Sequence, residues 1–223
     1  TSIGAVTNKR IFLKKYQAGE WVELGNSGQG YGVSGQSGYD AERPVLGVMS
    51  NGRPVVAWLQ KGPTNQVVRV FAATYNGTNW VGLAGSNSNG VPSPAATKLA
   101  EELDMAINSA GNPVLSWKEA TNPDGIVVMQ WAAGSWINIS PSDSPAVIYK
   151  PRIASGPNGR LALAWINTYG GAPGIYQQDQ VYAAFYNGAW NAIGGSQTFP
   201  GISAATNSAE RPYSLDIAMG FRT

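Results

Sequence analysis

Three glutamates and a tyrosine stand in corresponding places along the chain, Glu42, Glu101, Tyr149 and Glu210. Each is followed by a second charged residue, Arg43, Glu102, Lys150 and Arg211. Ala41-Glu42-Arg43-Pro44 and Ala209-Glu210-Arg211-Pro212 are identical tetrapeptides. Two carboxylates about 5–10 Å apart around a glycosidic bond can cleave it, one as acid and one as base or nucleophile. Glu42, Glu101 and Glu210 supply such carboxylates, and Tyr149 supplies a phenol that could act as the nucleophile. The same residues also make a polar mouth that would bind a ligand without reacting with it, or Glu–Arg pairs that lock neighbouring structural units. Because both arginines sit beside a glutamate at the repeat position, the locking role is the preferred reading of the charges. A second group is aromatic and amide-rich. Tyr31, Tyr39 and Asp40 lie in a glycine-rich stretch, and Tyr169, Tyr176, Gln177, Gln178 and Asp179 lie in another long connection. Such side chains suit a hydroxyl-rich ligand.

Other chemistries are removed by composition. The 223 residues include no His and no Cys, so there is no Ser-His-Asp triad, Cys-His pair, imidazole-ligated metal, thiolate site or disulfide. No Asp-x-Asp-x-Asp-Gly loop is present, and Asn122-Pro123-Asp124-Gly125 reads as a turn. No Ser-x-Asp-x-Gly-x-x-Trp box appears. No cofactor is expected, although a structural cation held by backbone carbonyls in a central channel would leave no trace in the sequence. Lys and Arg total 15 against 13 Asp and Glu, for a net charge of +2. With only Lys14-Lys15 as a basic run, nucleic acid is not an expected partner. No apolar stretch reaches the ~20 residues of a membrane helix. Abundant Gly, Ser, Asn and Trp without Cys leads us to expect a secreted or extracellular protein.

The elements that would position these residues form a repeat. Trp21, Trp80, Trp136 and Trp190 each follow a small turn, at intervals of 59, 56 and 54 residues. Counting from Trp190 through the C-terminus and on to Trp21 gives another 54, which fits a chain that closes on itself. In step with them come tight turns at Asn51-Gly52, Ala110-Gly111 and Asn158-Gly159, where Gly is expected at positive φ. Six residues past each Gly stands Trp58, Trp117 or Trp165. The last copy is aligned on Pro212 and Gly220. Each unit reads as four short strands rich in Val, Ile, Trp and Tyr, and its second strand is apolar on both faces, as a sheet wedged between two others requires. Trp58, Trp117 and Trp165 are therefore expected in the core between units, and the turn tryptophans over the outer hairpins.

Pro-x-apolar-x-x-x-x-x-Gly-x-Pro-x-Val-x-Trp, then an apolar strand, Asn-Gly and Trp-x-x-Leu-Gly, resembles bacterial exported repeat β-propeller proteins over essentially the whole chain. Lectins, adhesins and modules without assigned roles belong to that group. The expected fold is all-β, a four-bladed β-propeller with four antiparallel strands per blade. Blade 1 spans about 42–84, blade 2 about 101–140 and blade 3 about 149–194. Blade 4 joins 210–223 to 1–25, with Ser2–Val6, Arg10–Tyr16 and Trp21–Leu24 as its outer strands, so that the termini pair and close the ring. The turns at the bottom are short and leave no room for chemistry. The top carries every long loop, and with them the candidate ligand residues Glu42, Arg43, Glu101, Glu102, Tyr149, Lys150, Glu210, Arg211, Tyr39, Tyr169 and Tyr176. The function expected is a non-catalytic binding module for a glycan or cell-surface ligand. The alternatives are a structural or protein-interaction module of a larger exported protein and a glycoside-acting enzyme.

Overall fold

The computed structural model describes residues 8–62, 67–94, 99–120, 124–141, 148–156, 159–169, 178–196, 201–203, 212 and 214–220. A hairpin of β1 (Lys14–Gln17) and β2 (Glu20–Glu23) is followed by three four-stranded antiparallel sheets. The first holds β3 (Ala41–Val48), β4 (Pro54–Lys61), β5 (Val68–Tyr75) and β6 (Trp80–Gly82). The second holds β7 (Leu99–Ile107), β8 (Pro113–Ala120), β9 (Gly125–Ala132) and β10 (Ser135–Asn138). The third holds β11 (Ile148–Ser155), β12 (Leu161–Tyr169), β13 (Gln178–Tyr186) and β14 (Trp190–Ala192). Strands pair in chain order within each sheet, so all inner strands run the same way and all long connections gather at one end.

The second strands explain how the sheets stack. Val55, Ala57 and Leu59 of β4 share a core with Leu115 and Trp117 of β8, while Val56 and Trp58 on the opposite face pack with Ile11 and Val33. Val114 of β8 in turn joins Leu161, Leu163 and Trp165 of β12. The second sheet is thus covered by the first on one side and the third on the other, and the first is apolar on both sides, the packing of a β-propeller-like fold. Trp58, Trp117 and Trp165 each face the preceding sheet and are 0%, 1% and 3% exposed.

Two further features tie one sheet to the next. Trp80 Nε1 donates to the Leu24 carbonyl at 2.8 Å, Trp136 Nε1 to the Leu83 carbonyl at 3.1 Å, and Trp190 Nε1 to the Ile139 carbonyl. The turn tryptophans therefore do more than cover their hairpins; they stitch each outer strand to the sheet before it. Six residues past three of the turn tryptophans, a buried serine hooks the neighbouring strand. Ser27 Oγ donates to the Leu13 carbonyl at 2.7 Å, Ser86 Oγ to the Ala72 carbonyl at 2.8 Å, and Ser196 Oγ to the Ala183 carbonyl. The turn glycines behave as expected, with φ of 74° at Gly52, 75° at Gly111 and 76° at Gly159.

The fourth unit differs from expectation. Strand β1 begins at Lys14 rather than Arg10. Lys9 to Leu13 instead bond to the first crossing and to β3, with Val33 N–H donating to Ile11 O at 2.8 Å and Ala41 N–H to Lys9 O at 3.1 Å. Ser2–Val6 lie outside the described residues, and with them the pairing that would close the ring. Ser214 to Gly220 form no ladder but alternate in exposure, with Leu215, Ile217 and Met219 half-buried. The Met219 side chain lies against Gly156 beside β11. Gly220 is not in the left-handed region that the three turn glycines occupy. The segment instead matches by Leu215-Asp216-Ile217-Ala218 against Leu103-Asp104-Met105-Ala106, so the last copy is displaced three residues from the Pro212/Gly220 alignment. The end with the short turns is also less closed than expected. Leu13, Leu24, Leu46, Val48 and Tyr75 line a cavity of about 550 Å³ there, and Leu46 and Val48 are both 59% exposed.

Candidate functional site

The mouth residues share a backbone feature that their side chains do not reveal. Arg43, Glu102 and Lys150 have φ of 52°, 56° and 51°. Each lies in a bulge, between Glu42 and Val45, Glu101 and Asp104, and Tyr149 and Arg152. Non-glycine residues in this region are strained by roughly 1–3 kcal/mol each, and three at one repeat position mark the bulge as part of the design. It also accommodates Pro44 and Pro151, which lack the N–H a regular ladder needs.

Charge pairing at the mouth departs from the expected Glu–Arg scheme. Among the described residues, Glu42 pairs with Lys9, while Lys118 Nζ lies 3.0 Å from Asp124 Oδ2 and 3.4 Å from Glu101 Oε2. Arg43 enters no ion pair among the described residues. Lys118 also sits 4.9 Å from the centroid of the Tyr149 ring on the next sheet. Burial pulls the Lys118 pKa down, but its hydrogen bond to Asp124 and the charges of Asp124 and Glu101 outweigh this and leave it raised. Glu102 and Asp104 cross the same seam, Glu102 accepting from Lys150 N–H and Asp104 from Ile153 N–H at 2.9 Å. Glu42, Glu101, Glu102, Tyr149 and Lys150 are thus brought to one end of the inner strands and engaged by neighbouring residues. Glu210, Arg211 and Tyr176 lie outside the described residues, as does the side chain of Tyr169, whose backbone ends β12.

Lys118, Asp124 and Asp104 were not singled out from sequence. Lys118 left a readable signal, since it interrupts an apolar strand where the other sheets have Leu59 and Ile166. A further missed residue is Arg10. Its guanidinium donates to Ser37 Oγ at 3.3 Å, Tyr39 O at 3.0 Å and Ser37 O at 2.7 Å, and lies 5.7 Å from the Tyr31 ring. One cation thereby organises the glycine-rich first crossing and fixes Tyr39 in place.

Outward from the mouth, two adjacent seams open into clefts. The first, about 390 Å³, is walled by the crossing Ser34–Tyr39 on one side and by Gln60, Phe71 and Asn87 on the other. The second, about 290 Å³, lies between Arg69, the crossing Asn89–Ser93, Trp117 and Glu119. They share one repeat position, filled by Gln60 in the first and Glu119 in the second. Each of these residues ends a Trp-x-polar segment of a second strand, Trp58-Leu59-Gln60 or Trp117-Lys118-Glu119, in which residues two apart share a face; the aromatic in the lining is Phe71 in the first cleft and Trp117 in the second. Gln60 and Glu119 are 6% and 4% exposed. A buried amide or carboxylate over an aromatic floor is a site for polar groups carried on an apolar body. Among the described residues, no group of three Asp or Glu is placed to hold a metal ion.

No family model and no curated protein matches the chain. Among solved structures, a protein of unknown function from Dyadobacter fermentans matches with a TM-score of 0.50 at 13% identity, over 70% of this chain and 55% of its own. The α-L-arabinofuranosidase of Fusarium graminearum gives 0.47 at 13% identity, over 75% and 51% of the two chains. A fucose lectin from Kordia zhangzhouensis gives 0.40 at 13% identity, over 68% and 97%. The chain thus spans about half the length of the first two. At these identities the likeness is one of fold, and for the latter two the similarity is too slight to carry an argument. The chain itself is all-β, built of antiparallel sheets.

Proposed function

We propose that the chain is a non-catalytic carbohydrate-binding module of an exported protein, and that it holds sugar in the clefts where its seams open on the long-loop face. The observation that carries this reading is the recurrence of the cleft. Two successive seams present a cavity of 290–390 Å³, about the lower limit for small-molecule sites, each lined by a buried hydrogen-bonding side chain and an aromatic ring, Gln60 with Phe71 and Glu119 with Trp117. In this reading Tyr39 belongs to the ligand wall of the first cleft. Glu42, Arg43, Glu101, Glu102, Tyr149, Lys150, Glu210 and Arg211 belong to the mouth that holds the blades together. Ring closure by the terminal strands, and the four-blade division of the chain, form part of the same proposal.

Catalysis is disfavoured because Glu42 and Glu101 are each engaged by a lysine. The test is a glycan array followed by titration calorimetry. Micromolar binding that is weakened by Gln60→Ala or Glu119→Ala and left intact by Arg43→Ala supports the reading, and an array without signal refutes it. A protein-interaction role is favoured by one separate observation. Tyr16 and Trp21 form an aromatic pair on the β1–β2 hairpin, 5.4 Å between centroids, and are 60% and 66% exposed. Capture of a protein partner that Trp21→Ala abolishes would support that alternative.

A further inference from the structure

The two clefts share a buried polar residue at one repeat position but differ at the tryptophan two residues before it, which lines only the second. In the first, Trp58 Nε1 donates to Gln60 Oε1 at 3.2 Å, so the indole N–H is satisfied within its own strand. In the second, the partner position holds Glu119, whose carboxylate accepts from Ser93 Oγ on the crossing loop. Trp117 lines that cavity, yet its buried Nε1–H has no hydrogen-bond partner among the described residues. A buried indole N–H left without an acceptor is a standing cost, and native structures tolerate such groups mainly where something else supplies the acceptor.

The requirements of this cavity define its occupant. Trp117 offers only a donor, and an ionised Glu119 offers only acceptors. The occupant must therefore bring acceptor and donor groups close together. Hydroxyls do both. Arg69 and Glu119 give the lining one charge of each sign, so a carboxylate or phosphate meets the like charge of Glu119, while an ammonium meets that of Arg69 and leaves the indole unpaired. Beside Arg69, Asn89 and Ser93, the rest of the wall is formed by the apolar Val68, Val70, Val91, Pro92 and Ala100, which suit the C–H face of a ring. We propose that the cavity between β5 and β8 is the principal subsite and takes one neutral sugar ring, whose hydroxyls accept from Trp117 Nε1–H and donate to Glu119. The first cleft, lined by Phe71 and offering no free indole N–H, is the weaker site. This inference rests on the carbohydrate-binding reading and assigns it a subsite and a ligand charge.

The experiment follows the indole N–H resonances of the full chain by NMR, with Trp117 assigned from Trp117→Phe. The probes are neutral methyl pyranosides, with methyl glucuronide and glucosamine as charged controls. Supporting results are a shift of the Trp117 signal on adding a neutral pyranoside, with the charged controls at least about tenfold weaker. Binding should also fall about fivefold or more in Trp117→Phe and about tenfold in Glu119→Gln, as expected for losing a neutral and a charge-assisted bond. Pyranoside binding that moves other indoles and leaves Trp117 unmoved overturns the subsite while the general reading stands, as does a preference for a charged control. Absence of binding by any sugar overturns both.

Discussion

Removing the cation at Lys118 tests whether the mouth is a lock. Lys118→Met keeps the aliphatic stem and deletes the charge that Asp124 meets at 3.0 Å and Glu101 at 3.4 Å. The Lys118 side chain is 10% exposed and that of Asp124 is 17% exposed, whereas that of Glu101 is 44% exposed. Breaking a fully buried pair costs about 3–5 kcal/mol, and an exposed pair contributes only about 0.2–1 kcal/mol. Asp124 lies near the first limit and Glu101 near the second, so the substitution should destabilise by about 2–3 kcal/mol. For a chain of this size that corresponds to a fall in Tm of about 5–10 °C. Calorimetric melts of Lys118→Met, Asp124→Asn and the double variant should give a coupling of about 1.5 kcal/mol or more. A single variant that melts within about 1 °C of the parent, or a coupling under about 0.5 kcal/mol, would refute the lock.

Because the folded state raises the Lys118 pKa above the ordinary lysine value of 10.5, its contribution is fully present below about that pH. It should be lost as pH rises through the raised value, a decline that melts of Lys118→Met should lack. Gly111→Ala should cost clearly more than Gly52→Ala in denaturant titrations. Both glycines have φ near 75°, but a Cβ on Gly111 would meet Ser50 Cβ at 2.1 Å while one on Gly52 meets nothing within 4 Å; equal costs would mean that the close approach of the two turns is wrong. Trp136→Phe should lose about 0.5–1.5 kcal/mol from the missing bond to Leu83 O, with a further loss from the cavity, measurable as a shift in denaturation midpoint. Trp21→Phe tests closure of the ring. Trp21 is 66% exposed and, unlike Trp136, makes no bond to a neighbouring sheet among the described residues, so a nearly unchanged melt is expected; a cost like that of Trp136→Phe would show that the last sheet covers the hairpin.

What could be read from the sequence was the part set by periodicity. Trp58, Trp117 and Trp165 fall in the core because a doubly apolar strand has no other place to go, and Gly52, Gly111 and Gly159 take positive φ because a tight turn demands it. The bulge at Arg43, Glu102 and Lys150 was not readable, since nothing in Glu-Arg-Pro or Glu-Glu-Leu announces a left-handed residue, although Pro44 and Pro151 within strands were a hint. The partners of the mouth glutamates were missed for a related reason. The bulge resets the alternation of side chains, so adjacency in sequence no longer indicates adjacency in space. Lys9 and Lys118 thus take the place expected of arginines. The clefts depend on which side chains the crossing loops bring to a seam, as Ser93 is brought to Glu119, and no repeat pattern specifies that. The alignment of the last copy on Gly220 fails because Gly220 stands at the right spacing without the right conformation, whereas Leu215-Asp216-Ile217-Ala218 resembles Leu103-Asp104-Met105-Ala106.

The tryptophan and carboxylate stitches between sheets share one direction in time. Trp80, Trp136 and Trp190 each reach back to a carbonyl made earlier, at Leu24, Leu83 and Ile139. The Glu102 and Asp104 carboxylates likewise wait for the later Lys150 and Ile153 N–H groups. A ribosome releasing the chain from its N-terminus would therefore expose each acceptor before its donor exists, and every new blade would find a finished surface to dock on. Domains that fold as they are synthesised escape much of the aggregation that long-range strand pairing invites. In this chain the vulnerable interval is the one before blade 1 is complete, when the β1–β2 hairpin and its exposed aromatic pair have nothing yet to lean against.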